Sequence, residues 1–196
     1  ILFDNGLPVL KWFDKWSLDI FDELSPVQGQ IPDLKGWTLI WNDEFNNNGK
    51  PDPTSWSYEE GFVRNNELQW YQADNSICKD GVLTIYGKKE KVENPNYEVG
   101  HSDWRKNRKY AEYTATSIKS VGKREFQYGR FEVRARIPYA SGAWPAIWAL
   151  GTTMEWPSCG EIDMLELYQV GGKPHILANG AWIGMKRLYA YMLMMS

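Results

Sequence analysis

The sequence predicts an all-β protein, an antiparallel β-sandwich of the jelly-roll type, and three observations carry that expectation. Short β-prone runs such as Trp37-Thr38-Leu39-Ile40-Trp41 and Val82-Leu83-Thr84-Ile85-Tyr86 are separated by clusters of Asn, Asp, Gly and Pro. Residues 128–138 alternate cleanly, with Phe131, Val133, Ala135 and Ile137 on one face and Glu132, Arg134 and Arg136 on the other, the pattern of a strand with one buried face. Many short antiparallel strands of this kind favour a jelly roll. A chain of 196 residues fits one domain large enough to bury most of its apolar surface.

In chain order, residues 1–35 read as a leader rather than a second domain. Val9, Phe13, Trp16, Ile20 and Leu24 recur at three- and four-residue steps, an amphipathic-helix pattern over 8–24, and Ser25-Pro26-Val27-Gln28-Gly29-Gln30-Ile31-Pro32 reads as a linker. The main domain is expected over 36–184. Its first strand is Trp37 to Trp41, followed by an open loop over 46–53. Lys79-Asp80-Gly81 forms a turn into the strand Val82 to Tyr86, and the polar stretch 87–109 is a surface loop or hairpin end. Residues 185–196, with Met192, Met194 and Met195 besides Met185, form an atypical tail that has the look of a truncated or frame-shifted end.

Composition narrows the function. A formal net charge of −3 gives no basic footprint, so nucleic acid and anionic membrane surfaces are not expected partners. No run resembles a membrane span, and no signal-peptide pattern stands at Ile1. Cys78 and Cys159 show neither C-x-x-C nor His-paired spacing, which gives zinc and redox chemistry little support and leaves their pairing open. The chain holds 11 Trp and 11 Tyr, large aromatic faces that suit sugar rings and β cores alike.

The chemistry concentrates in Cys159-Gly160-Glu161-Ile162-Asp163-Met164-Leu165-Glu166-Leu167, where three carboxylates stand among apolar residues with no Lys or Arg. Strand side chains alternate with period two, so Glu161 and Asp163 share a face and Glu166 points away from it. One extra residue, a β-bulge at Met164 or Leu165, re-aims Glu166 onto the face of the other two. Glu161 and Glu166 would then lie about 5–5.5 Å apart, the separation that suits a retaining glycosidase. Asp163 between them would raise a neighbour's proton affinity. From spacing alone, an acidic surface patch or a Ca²⁺ site stands as the alternative.

Gly160-Glu161-Ile162-Asp163-Met164-Leu165-Glu166 resembles the bulged E-x-D-x-x-E signature of glycoside hydrolase family 16. Upstream, 128–138 and Gly142-Ala143-Trp144-Pro145-Ala146-Ile147-Trp148-Ala149-Leu150-Gly151 resemble the two strands that precede it in the laminarinase-like branch. Trp41-Asn42-Asp43-Glu44-Phe45 and Asn66-Glu67-Leu68-Gln69-Trp70-Tyr71 resemble the opening strand and a cleft loop. The resemblance spans about residues 37 to 184 and implies a concanavalin A-like jelly roll with a substrate cleft on its concave sheet.

It further implies a retaining endo-glycosidase on β-1,3- or mixed β-1,3/1,4-glucans, in which Glu161 is nucleophile, Glu166 general acid/base and Asp163 the residue that orients and tunes the nucleophile. Trp144, Trp148 and Trp156 match positions that line sugar subsites, with a core role as the alternative for Trp144. Asn66 resembles a polar cleft residue, against the alternative of a plain turn. Arg130 matches a substrate-binding position, and a structural role is equally open to Arg130 and Arg134. His101 and His175 read as structural or exposed. No cofactor is needed for catalysis, although relatives carry a structural Ca²⁺ for which no ligands stand out here. A β-glucan is the expected partner, the expected state is a monomer, and the expected location is secreted, periplasmic or cell-surface. Many laminarinases carry a His just before a Trp on the strand after the motif, whereas this chain reads Ala178-Asn179-Gly180-Ala181-Trp182. A glucan-binding protein without turnover, or an inactive truncated fragment, is the alternative function.

Overall fold

The structure, a computed structural model, describes residues 36–184 and the backbone of three further strands at 2–4, 7–9 and 187–195. The chain divides into two compact units, Ile1–Arg130 and Phe131–Ser196. Among the described residues the regular elements are strands and one 3₁₀ turn at Ala73–Asn75, so the all-β class holds.

The first unit opens with a small antiparallel hairpin, β1 (Leu2–Asp4) and β2 (Leu7–Val9). Pro8 and Val9, the start of the helix-like pattern, are therefore extended; the rest of that pattern and the linker lie outside the described residues. There follow β3 (Ser57–Tyr58), β4 (Gln69–Tyr71), β5 (Ser76–Lys79), β6 (Val82–Ile85), β7 (Val92–Glu93), β8 (Tyr110–Ala111), β9 (Tyr113–Ala115) and β10 (Ile118–Lys119). They pair as β3 with β10, β5 with β6 and β7 with β8, all antiparallel, whereas β4 and β9 run parallel. The turn read at Lys79-Asp80-Gly81 is a two-residue hairpin loop with Asp80 at φ 52° and Gly81 at φ 73°, the left-handed pair that matches strand twist. The polar stretch 87–109 is a hairpin end, closed by β7 and β8.

Polar side chains tie this unit together. Asn75 is fully buried; its Nδ2 donates to the Tyr86 carbonyl (3.0 Å) and to Thr114 Oγ1 (2.8 Å), and its Oδ1 accepts from Gln72 Nε2 (2.7 Å). Phe62, 7% exposed, meets Trp70 edge-on at 5.4 Å, and the Arg108 guanidinium sits 5.2 Å over its ring.

Two expected strands lie outside the sheets. Trp37 to Trp41 is irregular and largely exposed. The chain turns just beyond it, where Asp43 Oδ1 accepts the Phe45 N–H (2.8 Å), Asp43 Oδ2 accepts Trp56 Nε1–H (2.7 Å), and Phe45 adopts φ 50°. This local side-chain bonding competes with a ladder. Residues 128–138 keep their alternation but also stand outside the sheets, with Phe131 and Val133 more than half exposed. Alternation specifies faces, and a strand forms only where a partner edge meets it.

The second unit is one antiparallel sheet in chain order, β11 (Ala146–Leu150), β12 (Glu161–Val170), β13 (Lys173–Gly184) and β14 (Arg187–Met195). Val170 pairs with Lys173 across Gly171 and Gly172, at φ 57° and 77°, a two-residue turn that glycine adopts without strain. The tail read as atypical continues this sheet as β14, pairing with β13 from Ile176↔Met195 to Gly184↔Arg187. Leu167 and Leu177 are its buried apolar side chains among the described residues.

Gly151 closes β11 against the loop before β12, its N–H donating to the Gly160 carbonyl at 3.2 Å. A Cβ at this position would lie 2.2 Å from the Cys159 carbonyl oxygen. Gly151→Ala is therefore expected to cost about 2–3 kcal/mol, because backbone must move to admit it. Denaturant unfolding checks this; a loss below about 0.5 kcal/mol, the range of an ordinary surface change, contradicts the contact.

Candidate active site

The site is built on β12. Against β11 the register runs Leu150↔Glu161, Ala149↔Ile162 and Trp148↔Asp163, then Ile147↔Leu165 and Ala146↔Glu166, passing over Met164. Against β13, Asp163↔Asn179 is followed by Glu166↔Leu177, three steps on one strand against two on the other. Both neighbours thus register one added residue in β12, the bulge expected from the spacing. Its effect is to return Glu166 to the face of Glu161 and Asp163, with Tyr168 two residues further along the same face.

Three donors hold the outer acids. Trp156 Nε1–H donates to Glu161 Oε2 at 2.6 Å. Trp144 Nε1–H (3.1 Å) and Tyr168 O–H (3.0 Å) both donate to Glu166 Oε1, and the Trp144 and Tyr168 rings lie 5.2 Å apart. The loop that carries Trp156 is pinned by Cys159 N–H to the Glu155 carbonyl (3.0 Å) and Gly160 N–H to the Pro157 carbonyl (3.2 Å). Asp163 is 4% exposed and Glu166 9%. Burial first, then the charges of Glu166 and Glu161 and a hydrogen bond with Glu161, push the Asp163 carboxyl up to about 7, while a hydrogen bond from Asn179 pulls the other way. Burial and its bond to Glu166 likewise raise the Tyr168 phenol above its ordinary value.

The structure brings Glu161, Asp163, Glu166, Trp144, Trp148 and Trp156 to one sheet face and the loops beside it. Trp148 stands opposite Asp163, on the acid face, and Trp144 is an anchor of Glu166 with 43% of its surface still exposed. Asn66 and Arg130 belong to the first unit. Asn66 occupies a turn, with Asn65 at φ 55° and Asn66 at φ 53°, and its carbonyl accepts from Arg108 at 3.1 Å. Arg130 is exposed. Sequence reading missed Tyr168 and Asn179. Tyr168 was within reach, since the bulge that re-aims Glu166 also re-aims the residue two positions on.

Among the described residues no group of three or more His, Cys, Asp and Glu is arranged to hold a metal ion. Cys78 and Cys159 are free thiols, and burial raises the Cys78 thiol. No helix among the described residues is long and apolar enough to cross a membrane.

A face with three acids, one of them raised to about 7, is compatible with the paired-carboxylate chemistry that glycosidases use. The family described as "XgeA-like, catalytic GH16 domain" matches residues 56–176, and the chain belongs to glycoside hydrolase family 16, whose catalytic domains are jelly rolls. A beta-glucanase of Rhodothermus marinus is 37% identical over 151 residues, covering 72% of this chain and 46% of that protein. A solved chain from work on endo-acting O-glycanases, which prominent members of the human gut microbiota express to initiate mucin breakdown, aligns with TM-score 0.74. It is 35% identical and covers 82% of this chain and 60% of that one. A mutant of SCLam, a non-specific endo-beta-1,3(4)-glucanase from family GH16, co-crystallized with 1,3-beta-D-cellotriosyl-glucose, aligns with TM-score 0.63 and 26% identity. That match covers 83% of this chain and 64% of the other. The chain thus spans under half the length of the curated glucanase it matches.

The raised Asp163 carboxyl has a consequence for stability. The folded chain holds this proton more tightly than the unfolded one, so the contribution is complete below the unfolded value of 3.8 and is lost as pH rises through about 7. Asp163→Asn removes the cost of a buried anion. Its melting temperature relative to the parent is expected to be higher at pH 8 than at pH 5 in thermal unfolding, and an equal difference at both contradicts the buried charge.

Proposed function

We propose that this chain carries the catalytic centre of a retaining endo-glycosidase that cleaves β-1,3- or mixed β-1,3/1,4-glucans. The observation that carries the reading is the bulge at Met164, which puts Glu161 and Glu166 on one face with Asp163 between them. Glu161 attacks the anomeric carbon while Glu166 gives its proton to the leaving oxygen; water then enters, Glu166 takes its proton, and the glycosyl–Glu161 bond breaks. Trp144 and Tyr168 both bond Oε1 of Glu166, which leaves Oε2 for the proton transfer. Protonated Asp163 donates to Glu161 and orients its carboxylate for attack. Trp156 fixes the Glu161 carboxylate, and its exposed ring offers a face to a sugar.

The glucan substrate is supported by the beta-glucanase and the endo-beta-1,3(4)-glucanase among the relatives. A secreted, periplasmic or cell-surface location goes with that reading, since a polymeric glucan is met there. A monomer suffices, because all three acids come from one strand. A second reading, an endo-acting enzyme on mucin O-glycans, is favoured by the TM-score of 0.74 to the O-glycanase structure.

Chromatography of products from laminarin, mixed-linkage glucan, agarose and mucin glycans separates these readings. Oligosaccharides from either glucan are expected, and release from mucin glycans alone favours the second. Glu161→Gln is expected to bind the cleaved polymer and release nothing, and unchanged release removes it as nucleophile. Glu166→Gln is expected to lower kcat about 10²–10⁴-fold, the worth of a general acid, with a smaller loss on substrates whose leaving group needs no proton.

A further inference from the structure

Asn179 lies on β13 directly opposite Asp163, and opposed residues of an antiparallel pair share a face, so its amide stands on the acid side of the sheet. Its side chain stands close enough to the Asp163 carboxyl to favour the anion. The other end of the amide is different: Oδ1 is buried and has no hydrogen-bond partner among the described residues. A side chain present to complete an internal network satisfies both of its ends. Here the donor end is engaged and the acceptor end is left over.

The groups that face Asp163 make that single donor count. From its own strand come the carboxylates Glu161 and Glu166, with the Tyr168 hydroxyl beyond them. From β11 comes Trp148, on a strand, Ala146–Leu150, that holds no ionisable residue. From β13, Leu177 and Ala181 flank Asn179 opposite Glu166 and Glu161, and His175 stands opposite Tyr168. No described Lys or Arg faces Asp163 from β11, β12 or the part of β13 beside it. Among the described residues, the charges of Glu166 and Glu161 disfavour its ionisation and the Asn179 amide opposes them.

We propose that Asn179 is a positioning residue of the glycosidase, which holds Asp163 against Glu161 and keeps the proton between those two carboxyls exchangeable. This rests on the retaining-glycosidase reading for its catalytic meaning. When Glu161 becomes an ester it loses its charge, and Asp163 can then release its proton to solvent; when the ester is hydrolysed, the proton returns. Without the amide donor, Asp163 keeps the proton to higher pH and sits less firmly beside the nucleophile.

The test is a ¹³C NMR titration of the Asp163 carboxyl in the full chain, beside the pH profile of kcat/KM. Asn179→Leu, close in volume but without a donor, is expected to raise the Asp163 titration by about one pH unit. Asn179→Gln, which restores an amide, is expected to return part of that shift. The alkaline limb of kcat/KM is expected to move in the same direction as the titration. Should the Leu variant fail to fold, Asn179→Ala serves, since it removes the amide without adding a charge, and the same upward movement is expected. A titration within about 0.2 units of the parent in both Leu and Gln variants overturns the proposal, that interval being far below a lost hydrogen bond to a carboxylate. The NMR measurement needs no turnover. A shifted titration in a chain that cleaves no polymer refutes the glycosidase reading and leaves the Asn179–Asp163 coupling standing, and an active chain with an unmoved titration does the reverse.

Discussion

Side chains on a strand alternate, so Glu161 and Glu166, five positions apart, fall on opposite faces unless the strand gains a residue. Met164 is that residue, and both neighbouring strands record it in their register. The rest of the second unit serves to hold it in place. β11 and β13 fix the ladder on either side, the Gly171-Gly172 turn sets the β12–β13 register, and the pinned 155–160 loop delivers Trp156 to Glu161. A bulge leaves one residue unpaired, so it persists only where such flanking pairs over-determine it.

The second constraint is charge. Three carboxyls on one buried face cannot all ionise cheaply. The structure resolves this by giving each a different environment: Glu161 bonds Trp156, Glu166 bonds Trp144 and Tyr168, and Asp163 is buried between them with Asn179 alongside. One acid is thus held neutral up to near-neutral pH while the outer two receive neutral N–H and O–H donors. This difference in environment sets the face apart from an ordinary acidic patch, which would mix its acids with bases or expose them to water.

Much of the site was legible because its pattern breaks a rule. Acids at positions 161, 163 and 166 fit neither strand nor helix period, and a bulge is the physical way to reconcile them. The hairpin turn at Asp80-Gly81 was legible for a local reason, since those residues tolerate positive φ. What sequence could not give was partnership. Trp37 to Trp41 and residues 128–138 have strand composition and alternation, yet neither joins a sheet, because pairing depends on an edge elsewhere in the chain. Asn66, whose motif left a cleft residue and a plain turn both open, stands in a turn whose backbone Arg108 clasps. Asn179 carried no signal of its own in the sequence, and its place beside Asp163 emerged from the β12–β13 register.

The most direct test of the central claim is to trap the glycosyl-enzyme. A 2-deoxy-2-fluoro glycoside of the cleaved polymer, with a good leaving group, slows hydrolysis of the intermediate, and mass spectrometry of peptides then locates the bond. The bulged face predicts a single adduct of one glycosyl mass on Glu161. An adduct on Glu166 or Asp163, or turnover of the natural polymer with inversion and no adduct, would contradict it.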